Sequence, residues 1–323
     1  MTEDKRGNIL CIVVPCYNEE EVIEKSIFVL KEKLIRLIER GKVSNKSKIM
    51  FVDDGSRDRT LSILYDASQE DKIISVLKLS TNFGHQSAIL AGMMYAKEYA
   101  DMVVTIDADL QQDINAIDCF IESYEKGCEI VYGVRNDRDT DTFFKRTTAV
   151  GYYKLLKWLG CNIITNHADY RLMSSKVLNV LDNYKEVNLF MRGLVPTMGF
   201  QSDIVYIDVK DREAGESKYT LKKMLSLAID GVTSFSVRPL RIIAVLGLLT
   251  CLFGVGMLIF TFIEWINHNT LPGYATTLMA PLIMEGVTLL SLGIIGEYIG
   301  KIYMETKGRP RYIVDTFIWK EDI

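Results

Sequence analysis

From Ile242 to Ile263 the chain runs for about 22 residues without a charged side chain, enough helix to cross a hydrocarbon core of roughly 30 Å. A second apolar stretch, Leu278 to Ile299, is interrupted by Glu285 and Glu297 and follows the turn-rich loop His268-Asn269-Thr270-Leu271-Pro272-Gly273. Two spans on a short loop read as a hairpin. Arg238, Arg241, Lys301, Lys307, Arg309 and Arg311 flank its outer ends, and the loop carries no Lys or Arg, so the positive-inside rule puts both termini in the cytosol. The N-terminal Met1-Thr-Glu-Asp-Lys-Arg leads into an apolar run too short for a secretory signal, which carries the same expectation. Gly293, Gly296 and Gly300 suit close helix contact, and a homo-oligomer is expected. Glu297 can snorkel; Glu285 lies deeper and pairs inside such an oligomer or serves function, the structural role being favoured.

The first two-thirds of the chain is different. Short apolar runs (Ile9–Val14, Lys48–Val52, Ile73–Leu79, Met102–Ile106, Glu129–Tyr132) alternate with stretches of helical spacing (Glu19–Arg40, Thr60–Ser68, Gln86–Tyr99, Ile114–Glu125). That alternation predicts an α/β fold with a mostly parallel sheet and helices on both faces. Beyond Gly133 the pattern weakens: Phe143–Leu159 and Lys218–Ser234 look helical, and Asp203–Val209 looks like a strand. The net charge of −4 argues against a nucleic-acid partner. Six cysteines without regular spacing suggest reduced thiols rather than a disulfide framework, and the three histidines are too scattered to announce a zinc site.

The chemistry gathers at the ends of the apolar runs, where open α/β sheets hold ligands. Asp107 and Asp109, in Thr105-Ile106-Asp107-Ala108-Asp109-Leu110-Gln111, would point the same way if the strand stayed extended. Two carboxylates that close repel unless a cation joins them, and Mg²⁺ characteristically takes one or two carboxylates plus substrate phosphates. Alone, the pair is equally an ordinary surface turn. Val14-Pro15-Cys16-Tyr17-Asn18-Glu19 offers a ring for a base, or a helix start with Asn18 as cap. Asp53-Asp54-Gly55-Ser56 offers a carboxylate for a base or ribose, or a plain turn. Thr81-Asn82-Phe83-Gly84-His85-Gln86 opens a helix whose free N–H groups suit a phosphate or sugar, or simple capping.

Taken together, Pro-x-Tyr-Asn-Glu, Asp-Asp-Gly-Ser, Asn-x-Gly and Asp-Ala-Asp-x-Gln at the ends of successive βα units resemble the family 2 glycosyltransferases of the GT-A fold. Asp211-Arg212-Glu213-Ala214-Gly215-Glu216-Ser217-Lys218-Tyr219, followed by two spans, is similar to the polyprenyl-phosphate glycosyltransferases related to dolichyl-phosphate mannose synthase. Asn166-His167-Ala168-Asp169-Tyr170-Arg171-Leu172-Met173 and Asn188-Leu189-Phe190-Met191-Arg192-Gly193-Leu194 resemble the bactoprenol glucosyltransferase branch. The resemblance implies a Rossmann-like GT-A domain over residues 1–210 and an acceptor-binding and amphipathic juxtamembrane segment over 211–240. Two transmembrane helices over 241–300 and a cytosolic tail over 301–323 complete it.

The same resemblance implies roles. Pro15, Tyr17, Glu19, Val52, Asp54, Asp107, Ala108 and Arg135 would bind the nucleotide-sugar. Asp107, Asp109 and Gln111 would hold Mg²⁺ or Mn²⁺. Arg135, Arg212, Ser217 and Lys218 would meet the acceptor phosphate. Asp109, Asp169, Arg212 and Lys218 would carry catalysis, with Asp169 the customary base. Chemistry tempers that last role. A lipid phosphate with a second pKa near 6 is mostly dianionic at neutral pH and already a nucleophile. Asp169 is therefore read first as orienting the acceptor, the sugar or an Arg such as Arg171. The basic run Lys210, Arg212, Lys218, Lys222, Lys223, Arg238 and Arg241 would meet the lipid phosphate and anionic headgroups at the bilayer surface.

The expected activity is inverting transfer of one sugar, glucose first, from a UDP-sugar to undecaprenyl phosphate at the bacterial inner membrane. A flippase and a downstream transferase are the expected partners. Galactose, GlcNAc, GalNAc or mannose donors and a non-catalytic nucleotide-sugar-binding scaffold are the alternatives. A processive synthase is disfavoured because none of Trp158, Trp265 and Trp319 follows an Arg.

Overall fold

The computed structural model describes residues 7–136, 167–186, 191–208, 238–266 and 274–320. The helices expected over 143–159 and 218–234, the Arg212–Tyr219 motif and residues 188–190 lie outside the described residues.

The strands are β1 (Leu10–Cys16), β2 (Lys48–Asp53), β3 (Ile74–Leu79), β4 (Met102–Thr105), β5 (Ile130–Arg135), β6 (His167–Ser174), β7 (Ser202–Ile207) and β8 (Val314–Ile318). They form one sheet in the order β7-β5-β6-β4-β1-β2-β3-β8. β1 to β4 run parallel, and β5 is parallel to β7. β6 runs antiparallel between β4 and β5, and β8 antiparallel along β3. The fold is the mostly parallel, mixed α/β sheet that the alternation predicts.

The helices beside this sheet are α1 (Ile23–Glu39), α2 (Thr60–Glu70), α3 (His85–Ala96), α4 (Ala116–Glu125), α5 (Ser175–Leu181) and α6 (Met191–Thr197). Successive residues of a strand face opposite ways, so each face of β1 has its own cover. Leu10, Ile12, Val14 and Cys16 join Ile23, Leu30 and Leu34 of α1, Leu64 of α2 and Phe120 of α4 in one buried cluster. The other face meets α3, where a Cβ on Gly92 would lie 2.4 Å from Val13 Cγ1 and 2.8 Å from Val52 Cγ2. Only glycine lets that helix sit so close. α3 is accordingly buried on most sides, from Ala88 to Met94.

β1 continues through Pro15, where the sequence suggested a stop. Val13 C=O accepts from Ile106 N–H on the β4 side, and Cys16 C=O accepts from Asp54 N–H on the β2 side. Pro15 therefore looks toward β4, whose pairing with β1 has ended at Val13, and its missing N–H leaves no gap in the ladder. α1 starts at Ile23, not Glu19, because residues 18–20 are tied to the neighbouring loop.

The alternation does not signal β8, which arises within the segment read as a tail. Its ladder on β3 is reinforced by the Lys78–Asp315 ion pair at 2.5 Å and by Ser75 Oγ donating to Ile318 C=O at 2.6 Å. Phe317 meets Tyr95 edge-on at 5.0 Å, and Trp319 stacks on Tyr99 at 4.5 Å. The otherwise open edge of β3 is thereby closed.

A second compact unit carries two long helices, α7 (Arg238–Ile266) and α8 (Tyr274–Thr306). Within α8, Met284–Thr306 is long and apolar enough to cross a membrane. Leu289, Leu290, Leu292 and Ile299 on it are exposed, as a lipid-facing surface would be.

Candidate active site

β4 ends at Thr105, and the chain turns at once: Leu110 N–H donates to Asp107 C=O at 3.3 Å, with Leu110 at φ +51°. Asp107 and Asp109 thus share a tight turn, not the extended strand that would align them by alternation. Ala108 is buried inside the turn, its carbonyl accepting from Ser26 Oγ. Gln112, not Gln111, supports Asp107: its Nε2 donates to Asp107 Oδ2 at 2.6 Å, and its Oε1 accepts from the Asp107 N–H at 3.2 Å. Gln111 gives its backbone N–H to Asp109 Oδ1 at 3.2 Å. Asp107 Oδ1 faces His85 Nε2 at 3.4 Å. Desolvation pushes the Asp107 carboxyl up; His85 opposes this, while Asp169 and Asp109 add to it.

Beside the turn lies Asp169 on β6, brought there by the antiparallel pairing of Thr105 with Arg171 and by Thr105 Oγ1 donating to Asp169 C=O. Its side chain is 7 % exposed and fully engaged. Arg171 Nη2 reaches Oδ1 at 2.7 Å, Arg192 grips both oxygens (Nε to Oδ1 3.2 Å, Nη2 to Oδ2 2.9 Å), and Gln86 Nε2 reaches Oδ2 at 3.0 Å. Burial would raise this carboxyl, but Arg192 and Arg171 outweigh it and hold it far below the usual carboxylate range. His85 Nε2 stands 4.0 Å away, between the two acidic centres.

A second cluster lies at the ends of β1 and β2. Asn18, at φ +54°, accepts from Arg57 N–H at 2.8 Å; Asn18 N–H reaches Ser56 Oγ at 3.0 Å, and Glu19 N–H reaches Thr60 Oγ1 at 2.8 Å. Asn18 is thus a bridge between loops and not the cap of α1. Tyr17 leaves this stitched loop 42 % exposed, its ring free. Asp54 has no such freedom: Phe83 N–H takes Oδ1 at 2.7 Å and Gly84 N–H takes Oδ2 at 2.9 Å, so it clamps the entry to α3. Asp53 is fully buried. Ser56 N–H reaches its Oδ2, while its buried Oδ1 has no partner among the described residues and desolvation raises its pKa. Gly55, at φ +71°, lets this loop pack on the next, because a Cβ there would come within 2.7 Å of the Thr81 backbone.

Residues 11–181 match the pattern of glycosyl transferase family 2. The chain belongs to that family. The transferase also matches the GtrB C-terminal hairpin over residues 238–302. It is 48 % identical over 319 residues to the uncharacterized glycosyltransferase YkoT of Bacillus subtilis (strain 168), covering 98 % of this chain and 94 % of that one. It is 39 % identical over 310 residues to the bactoprenol glucosyl transferase of Shigella phage SfX, covering 94 % and 98 %. Among solved structures, mannosyl-3-phosphoglycerate synthase from Rubrobacter xylanophilus aligns with a TM-score of 0.47 at 15 % identity, over 72 % and 74 % of the two chains.

The transferase brings Asp107 and Asp169 together at His85, with Asp109 on the same turn as Asp107, and sets other expected residues apart. Val52 is fully buried against Gly92 and offers a ligand no side-chain surface. Pro15 is buried in β1, Glu19 is half-buried, and Arg135 sits exposed at the end of β5, two strands from β4. Arg212, Ser217 and Lys218 are outside the described residues. Sequence reasoning missed the roles of His85, Gln86, Gln112 and Arg192 around the two carboxylates. The quoted runs containing His85, Gln86 and Arg192 were the only signal.

Among the described residues no three His, Cys, Asp or Glu side chains form a ready metal cage. The donor set fits a hard cation nonetheless. Asp107 Oδ1 and the exposed Asp109 stand on one turn, and an ion held by two carboxylates completes its shell with substrate phosphate.

Proposed function

We propose that the transferase moves a single hexose, glucose first, from a UDP-sugar to a polyprenyl phosphate such as undecaprenyl phosphate, with inversion to a β-linked product. The observation that carries this reading is the state of Asp169. A carboxylate saturated by Arg171, Arg192 and Gln86, with its pKa driven down, is a poor general base. The acceptor that suits such a site arrives already ionised, as a phosphate monoester does. The names of relatives such as the SfX bactoprenol glucosyl transferase, similar along nearly the whole chain, support the same acceptor and sugar.

In the proposed step an acceptor phosphate oxygen attacks the anomeric carbon while the bond to the diphosphate breaks, and the electron pair leaves on UDP. Mg²⁺ or Mn²⁺, held by Asp107 and Asp109 with Gln111 as a further candidate, would offset the charge of that leaving group. Gln112 fixes the direction of Asp107, and Tyr17 offers its ring to the base. Asp169 orders Arg171 and Arg192, while Arg135, Arg212, Ser217 and Lys218 are proposed for the phosphates. The apolar α8 supports membrane association. A two-span hairpin with both ends in the cytosol, self-association, and a flippase and second transferase acting on the product remain part of the proposal.

Full-length protein in membranes, given radiolabelled UDP- and GDP-sugars, undecaprenyl phosphate and Mg²⁺ or Mn²⁺, tests the reading. Label from UDP-glucose is expected in the organic extract and is expected to disappear with EDTA. Label confined to the aqueous phase would overturn the lipid acceptor, and preference for another nucleotide-sugar would overturn glucose.

A further inference from the structure

The Gln86 amide is half engaged. Its Nε2 donates to Asp169 Oδ2 at 3.0 Å, while its Oε1 is buried without a hydrogen-bond partner among the described residues. The two ends are not interchangeable. Asp169, kept ionised by Arg171 and Arg192, can only accept, so the NH₂ end must face it and the carbonyl oxygen must turn away. A covered acceptor without a donor is costly, and such an atom calls for an explanation. Gln86 stands in the first turn of α3, whose entry Asp54 clamps, next to His85 between Asp107 and Asp169. The residue as a whole is part-exposed, although its Oε1 is covered.

The missing partner must be a hydrogen-bond donor. A diphosphate and an ionised lipid phosphate offer acceptors only. In the proposed reading the nucleoside goes to the exposed Tyr17 ring. What reaches Asp107 and Asp169 with O–H groups is the sugar itself. We propose that Gln86 is a specificity-determining residue whose Oε1 accepts a hydrogen bond from one hydroxyl of the transferred sugar. The oxygen is covered in this structure, so the contact requires the side chain to turn as the sugar enters. This rests on the transferase reading above and adds the group that tells one hexose from another.

The test uses full-length protein, a polyprenyl phosphate, the preferred UDP-hexose and its 2-, 3-, 4- and 6-deoxy analogues, comparing kcat/KM for wild type, Gln86→Met and Gln86→Glu. In wild type one analogue is expected to fall about 10- to 100-fold, since a site built to bond a hydroxyl rejects the substrate lacking it. Gln86→Met is expected to slow the parent sugar by a similar factor and erase that single penalty, leaving the others. Gln86→Glu keeps an acceptor oxygen but turns a second one on Asp169, so it is expected to slow transfer of every analogue while keeping the penalty at the same hydroxyl. A wild-type series flat to within about 3-fold, or a Met variant retaining every penalty, overturns the inference. The wild-type series needs no variant to fold. Failure to glycosylate the lipid from any nucleotide-hexose sinks the donor and acceptor reading together with this inference, whereas transfer with a flat series sinks this inference alone.

Discussion

Asp107 and Asp169 flank His85 and are built in opposite ways. Asp107 sits on a turn, its side chain 36 % exposed, held from one side by Gln112 and leaving an oxygen toward His85. Asp169 sits on a strand, 7 % exposed, every lone pair it can offer shared among two guanidiniums and an amide. A carboxylate with spare coordination can take a ligand; one that is saturated orders its neighbours. Asp54 is a second carboxylate of the saturated kind, spent on the backbone N–H groups of Phe83 and Gly84.

The sharpest way to break this comparison is Asp169→Asn. It leaves the fully buried Arg171 without a counter-charge, so about 3–5 kcal/mol of folding stability should go, together with activity. Chemical denaturation of the sheet-bearing unit measures it; an unchanged midpoint would make the two carboxylates alike. Asp107→Asn and Asp109→Asn should do the reverse, cutting sugar transfer by about 10²- to 10³-fold with the denaturation midpoint nearly unmoved. Next comes Asp54→Asn, which weakens the α3 clamp and should cost about 1–3 kcal/mol. A melting curve beside that of wild type measures it.

The smallest effect is a null one with a definite sign. The folded pKa of Asp169 lies below its unfolded value of about 3.9, so its stabilising contribution is complete above that value. It is lost only as pH falls through the depressed folded value. Because His85 Nε2 lies 4.0 Å from Asp169, the comparison is made with His85→Gln in both proteins: adding Asp169→Asn should then cost the same from about pH 5 to 8, by denaturation at each pH. A cost that shrank across that range would mean that Arg171 and Arg192 do not hold the carboxylate.

Much of this was readable from residues alone, because buried parallel strands are apolar runs and their ends carry the polar chemistry. β1 to β5 lie on the apolar runs, and Asp107, Asp109 and Asp169 stand in the motifs that carry the family resemblance. The failures have physical causes. Leu110 at φ +51° is a conformation its side chain disfavours, so nothing in the residue type warned that the turn would bring Gln112, and not Gln111, to Asp107. β6 carries Asp169 and Arg171 among apolar residues, and a charge in mid-run reads as surface although Arg171 is fully buried. Arg192 reaches Asp169 across 23 residues, a partnership only tertiary structure reveals. β8 alternates over just five residues behind a long apolar stretch that dominates its surroundings.

That last strand also sets an order of events. β8 lies beyond α8 in the chain, so a ribosome must finish both apolar helices before the sheet can receive its eighth strand. Until then the nascent enzyme carries a bare β3 edge, and its final hydrogen-bonded ladder can close only once the hairpin has been made.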